Sequence, residues 1–191
     1  MKNQPPSDSY LTSQMLIAMP SMSDPRFDRT VIYLCAHSDE GAMGLVINRL
    51  FDSISFPELL EQVGIETTGQ ERPIRVHAGG PVESGRGFVL HSADFVREGT
   101  MVVDEQVALT ASVDILKAIA ESQGPRRSLL ALGYSGWGPG QLESEIQANG
   151  WLHAPSDEGL LFDDDLDSKW EKAIAKIGFD FSMLSGDAGH A

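Results

Sequence analysis

Thr30–Asn48, TVIYLCAHSDEGAMGLVIN, is the stretch that decides the fold. Two β-type runs, Thr30–Ala36 and Met43–Asn48, flank the polar segment HSDEGA, whose composition is that of a hairpin with a longer loop. A hairpin here places antiparallel pairing near the start of the chain. Working outward, further runs rich in Val, Ile and Leu read as strands: Met15–Met19, Ile74–Ala78, Gly87–His91, Met101–Asp104 and Leu129–Leu132. Helices are fewer and have readable ends. Ser55-Phe56-Pro57-Glu58 supplies a cap, a first-turn proline and a capping-box glutamate ahead of Leu59, Leu60 and Val63, with Gly64 as the stop. A second helix is expected over Ser112–Gln123 and a third over Gln141–Asn149. A fourth is expected to start at a Ser168/Glu171 capping box, carry Trp170, Ile174 and Ile177 on one face, and end at Gly178. Strands and helices do not alternate regularly, so the expected class is α+β: a mainly antiparallel or mixed sheet with about four flanking helices. Residues 1–10, polar and carrying Pro5-Pro6, read as a flexible lead-in, and residues 11–191 as a single domain.

Composition narrows the function. The chain has 191 residues, 28 acidic against 14 basic, for a formal charge of -14, which opposes approach to a nucleic-acid backbone. Arg126-Arg127 is the only adjacent basic pair, so no basic stripe is evident. Cys35 is the one cysteine, no segment has the form of a secretory signal, and no apolar run reaches the roughly 18 residues of a membrane helix. These features predict a cytoplasmic protein without disulfides.

The segment Leu129–Leu152, LLALGYSGWGPGQLESEIQANGWL, reads as a buried strand, a glycine-rich turn from Leu132 to Gln141, and a short helix closed by Asn149-Gly150. Gly133-Tyr134-Ser135-Gly136-Trp137 nearly matches the hydrolase elbow, but Trp stands where its last glycine belongs. Gly133 and Gly138 have the outer spacing of a phosphate-binding loop, yet Pro139-Gly140 replaces the lysine and hydroxyl residue that such chemistry needs. A turn seating Trp137 and Trp151 against the core explains the same residues. Cys35 and His37, two apart on a strand, are expected on one face, and with His77 and His91 could hold a metal only by convergence in three dimensions. Asp163-Asp164-Asp165 lacks calcium-loop spacing and reads as a solvated turn into the fourth helix. A second glycine-rich connection, Gly79-Gly80-Pro81 through Gly85-Arg86-Gly87, offers Arg86 as its one strong charged donor.

Taken in order, LIAMPSMSDPRFDRTVIYLCAHSDEGAMGLVIN, AGGPV, RGFVLH, LGYSGWGPGQLESEI with NGWL, and the terminal GHA resemble the bacterial YqgE/AlgH family over Leu16–Ala191. The resemblance implies a bent or bifurcated sheet forming a pseudo-barrel. It also implies a link to transcription, since some members are described as regulators of polysaccharide synthesis, although they carry no recognised DNA-binding motif. It brings no catalytic residue set.

The favoured reading is a cytosolic interaction or regulatory protein that influences transcription indirectly through a protein or small-ligand partner. Its expected surface comprises Gly79, Gly80, Arg86, Tyr134, Trp137 and Gln141, with no metal and no cofactor. One alternative is a hydrolytic or metal-assisted enzyme that assembles His37, His77, His91, Glu83 or Ser135 in a pocket. Another is a regulator that binds DNA directly.

Overall fold

A computed structural model describes residues 10–66 and 74–178, which form one nine-stranded sheet and five helices. In chain order these are β1 (Gln14–Ala18), β2 (Val31–Ser38), β3 (Gly41–Val46), α1 (Phe56–Gln62), β4 (Val76–Ala78), β5 (Val82–Ser92), β6 (Thr100–Val102), β7 (Val107–Thr110), α2 (Val113–Ala120), β8 (Ser128–Trp137), α3 (Gln141–Gln147), β9 (Trp151–Pro155), α4 (Glu158–Leu161) and α5 (Leu166–Ile177). The sheet runs β6-β7-β5-β8-β3-β2-β1-β9, and every pairing along it is antiparallel. Only β4 is parallel, lying against β8. The expected α+β class is therefore the one found.

The sheet forks along β8. Its first half, Leu130–Leu132, faces β5 on one side and β4 on the other, whereas Ser135–Trp137 pairs with β3. Gly133, at φ +75, stands where the strand changes partner, in a backbone region that favours glycine. β4 fills the fork: Val46 N donates to Gly79 O (2.9 Å), Ala78 N to Arg49 O (2.9 Å) and Phe51 N to Val76 O (2.8 Å). The chain leaving β3 thus continues the sheet on the far side of β4.

Strands bury both faces, which explains why they read as continuous apolar runs rather than as alternation. Along β1, β2, β3 and the residue that follows β3, Met15, Ile17, Val31, Tyr33, Leu45 and Ile47 turn into a central core that α5 covers with Trp170 and Ile174. Their neighbours Leu16, Ala18, Ile32, Leu34 and Val46 turn the other way, to meet Trp137, Leu142 and Trp151. On the β4–β5–β8 arm the outer face carries Val89, Leu130 and Leu132 beneath α1 and α2. Each large aliphatic or aromatic side chain so buried contributes about 1.5–3 kcal/mol. The first helix has the predicted cap at Ser55, whose Oγ accepts from Glu58 N (3.3 Å) and donates to Glu58 Oε1 (3.0 Å), so the glutamate closes on the hydroxyl.

Several local expectations need correction. The expected glycine-rich turn is mostly strand, because β8 runs on through Trp137 and only Gly138–Gly140 turns. Asp165, not Ser168, caps α5, accepting from Ser168 N at 3.4 Å, so the helix begins one residue later than the cap, at Leu166. Strands β7 and β9 and the single turn α4 are additional to the expected elements. The leader's first nine residues and the terminal GHA lie outside the described residues.

Candidate functional site

The residues singled out by sequence fall into three places. Gly79, Gly80 and Gly133 are packed backbone against backbone at the fork. A Cβ on Gly79 would press on the Gly133 carbonyl oxygen, one on Gly80 on the Tyr134 carbonyl, and one on Gly133 on the Gly80 carbonyl. Their smallness lets β4 and its exit to β5 lie against β8.

Arg86 and Tyr134 come together nearby. The β5–β8 register jumps from Val82 opposite Tyr134 to Gly87 opposite Leu132, so Glu83–Arg86 bulges out, with Glu83 at φ +46. Arg86 sits 5.1 Å over the Phe88 ring and 3.3 Å from Glu83 Oε2, and Phe88 meets Tyr134 edge-on at 5.8 Å.

Trp137 and Gln141 belong to a different joint, on the face that holds Leu142 and Trp151. Trp137 is only 7% exposed. Its indole N–H and that of Trp151 both donate to Glu145 Oε1, at 3.2 and 3.0 Å. Gln141 donates to Glu145 Oε2 (2.8 Å) and accepts from Gly138 N (3.0 Å). One carboxylate on α3 therefore ties β8 to β9.

The side chains proposed for an enzymatic pocket do not converge. His37 accepts at Nδ1 from Leu11 N (2.9 Å) and meets Glu143 through Nε2. His91 is bonded to the Ser92 carbonyl (2.9 Å) and the Thr110 hydroxyl (2.8 Å), and Ser135 donates to Gly79 O (3.2 Å) within the sheet. Cys35 and His37 do not share a face. A bulge between Leu34 and Ala36 shifts the register, so Cys35 enters the central core while His37 reaches α3. Burial pushes the Cys35 thiol up to about 12. Among the described residues no group of three or more His, Cys, Asp or Glu is placed to hold a metal ion. The Tyr33 hydroxyl, in the central core, has no hydrogen-bond partner among the described residues, and burial raises its pKa.

A cleft of about 1080 Å³ opens between β4, the start of β8 and the ends of α2 and α4. His77 lines it. Nδ1 lies 3.1 Å from the Leu130 carbonyl and carries the proton of that bond. The ring is 7% exposed, and burial lowers its pKa to about 4, so it is neutral at pH 7. Arg75, Arg126 and Arg127 line the same cleft. Arg75 donates to the Asp164 carbonyl (2.7 Å), Arg126 pairs with Glu158 (2.7 Å), and Arg127 stands 3.8 Å from the same glutamate. Behind them, buried Lys169 donates to the Ile47 (3.2 Å) and Leu161 (3.1 Å) carbonyls, and desolvation lowers its pKa to about 8. The sequence singles out His77, for a metal or an enzymatic pocket, and Asp163–Asp165, as a solvated turn, but gives no sign that they share a cleft with Arg75, Arg126 and Arg127.

The AlgH-like family model matches residues 15–182. The chain belongs to that family. It is 56% identical over 195 residues to a UPF0301 protein of Bradyrhizobium diazoefficiens, covering 98% of this chain and 91% of that one. A UPF0301 protein of Rhodospirillum rubrum is 53% identical over 184 residues, with 96% of each chain covered. Among solved structures, the solution structure of the AlgH protein from Pseudomonas aeruginosa matches at a TM-score of 0.78 and 42% identity, over the whole of both chains. A crystal structure of a Corynebacterium diphtheriae protein shares the fold at a TM-score of 0.69 and 22% identity, covering 92% of this chain and 89% of that one. Among the described residues no helix of this AlgH-like protein is long and apolar enough to cross a membrane.

Proposed function

We propose that this AlgH-like protein is a cytoplasmic binding module with a regulatory role, influencing transcription indirectly through a protein partner held at the Glu83–Arg86 bulge and Tyr134. The observation that supports it most is the bulge itself. Four residues of β5 stand opposite Gly133 alone, and the excursion holds a guanidinium, 57% exposed, over the ring of buried Phe88, which half-buried Tyr134 meets edge-on. A non-glycine residue in the left-handed region costs about 1–2 kcal/mol, and here that cost supports an exposed contact. Arginine and tyrosine on such a platform are the residue types that carry binding energy at protein interfaces. The formal charge of -14 disfavours direct contact with DNA, so the contact with DNA falls to the partner.

Affinity capture from native lysate tests this with three baits: the wild type, Arg86→Ala and Tyr134→Ala. Arg86 is exposed, whereas Tyr134 is half-buried against the central core, so circular dichroism must show that each variant keeps the fold. A stoichiometric protein partner lost with both variants is the expected result. Retention by both variants would remove the surface from consideration, and duplex binding by the purified protein at low salt would remove the indirect route.

A further inference from the structure

The sheet ends at β6, whose one strand partner among the described residues is β7. Its other edge is open, and the ladder shows which groups face outward. Val103 N donates to Val107 O (2.9 Å) across the turn between the two strands. In an antiparallel pair the backbone groups of successive residues point alternately to the two sides of the strand. Met101 is therefore turned toward β7, like Val103, and Val102 between them presents its N–H and C=O to the open edge. The side chains are as accessible as the backbone. Met101 and Val102, adjacent and so on opposite faces of the sheet, are 43% and 54% exposed. Val96, just before β6, and Val113, just after β7, are exposed too, whereas elsewhere the described residues expose only Leu50 and Val63 among their large hydrophobic side chains.

Charge decides what such an edge can accept. Exposed Glu98 precedes β6 and exposed Glu105 follows it, with half-buried Asp104 between Val103 and Glu105. Arg97 is drawn aside, its guanidinium 4.6 Å over the Phe95 ring. An antiparallel second copy would bring Glu98 of one chain beside Glu105 of the other, at both ends of the pairing and between two chains of formal charge -14 each. The same acids attract a strand whose ends are basic. We propose that the open edge of β6 is a docking site for an extended segment of a partner protein, apolar in its middle and carrying Lys or Arg at each end, which adds to the sheet at Val102. Backbone bonds at Val102 set the register, Met101 and Val102 give apolar contact on the two faces, and Glu98 and Glu105 select the basic ends. This surface is separate from the Glu83–Arg86 bulge, which lies at the other end of β5 from its pairing with β7.

The test adds the synthetic peptide KKVTVTVKK to the full chain labelled with ¹⁵N. Saturable shifts of the Met101 and Val102 amides are expected, with a dissociation constant at or below about 1 mM. The peptide EEVTVTVEE, the same strand with reversed ends, should bind about tenfold more weakly or worse. Val102→Pro removes an N–H that makes no bond to β7 and should weaken the basic peptide by about tenfold. Val102→Lys, which keeps that N–H but repels basic ends, should weaken it as well and keeps the test open should the proline disturb the strand. Glu98→Gln combined with Glu105→Gln should weaken it by about fivefold. In the free chain the Val102 amide should exchange rapidly with solvent. No saturable shift, equal binding of the two peptides, or a Val102 amide protected in the free chain, as a second copy or another part of this chain on the edge would make it, would overturn the proposal. Arg86→Ala should leave peptide binding unchanged, so failure here and failure of the bulge as a partner surface are read separately.

Discussion

The joint at α3 and the cleft at β4 handle polar side chains in opposite ways. At the joint, Glu145 accepts two indole N–H groups and a glutamine amide, and His37 has both ring nitrogens engaged. At the cleft, His77 has a ring nitrogen on the Leu130 carbonyl, and the exposed guanidinium groups of Arg75 and Arg127 have few protein partners. The aromatic, glycine-rich joint thus spends its chemistry on holding strands together, whereas the cleft leaves its guanidinium groups largely to solvent. The most conspicuous stretch of the sequence is structural.

Breaking the structural side of this contrast should give the largest effect. Gly133→Ala places a Cβ on the Gly80 carbonyl at a residue with φ +75, and is expected to cost at least about 3 kcal/mol or prevent folding. Urea denaturation measures it, and a near-neutral outcome would mean that the fork can open. Next, Glu145→Ala strips the shared acceptor from two largely buried indoles and should cost about 2–4 kcal/mol, whereas Glu145→Gln, which keeps an acceptor oxygen, should cost less. Tryptophan fluorescence reports both as changes around Trp137 and Trp151.

The cleft has a pH signature. His77 has a folded pKa of about 4 against an ordinary 6.5, so the unfolded chain binds the extra proton between those values and stability rises with pH across that window. Acidification from pH 6.5 to 4 should therefore remove up to about 3 kcal/mol, and His77→Gln should flatten that part of the profile. An unchanged acid slope in the variant would assign the loss to other groups, His91 among them, whose pKa burial also lowers. The smallest expected effect has the opposite sign. Tyr33→Phe deletes a buried hydroxyl with no partner among the described residues and should stabilise by about 1 kcal/mol in the same denaturation assay.

Much of the fold was legible because its signals are local. The β2–β3 hairpin, the Ser55 box and the α5 stripe all depend on residues a few positions apart. The elements that escaped depend on distant partners. Val107–Thr110 and Trp151–Pro155 are too short to announce themselves, and are strands because β5 and β1 provide their ladders. The LGYSGW segment reads as a turn from its glycines, yet it is strand and Gly133 serves close strand packing. The cleft was illegible for the same reason, since Arg75, His77 and Arg127 become neighbours only when β4 inserts beside β8.

That insertion also sets a timetable for the ribosome. The first three strands can pair soon after they emerge, but the β3 edge waits for Ser135–Trp137 and the β1 edge waits for Trp151–Pro155. At bacterial elongation rates the interval is on the order of ten seconds. During it, the nascent chain presents two open strand edges flanked by apolar side chains, so the newborn protein has to be kept from pairing with its neighbours on the same message until its last strand arrives.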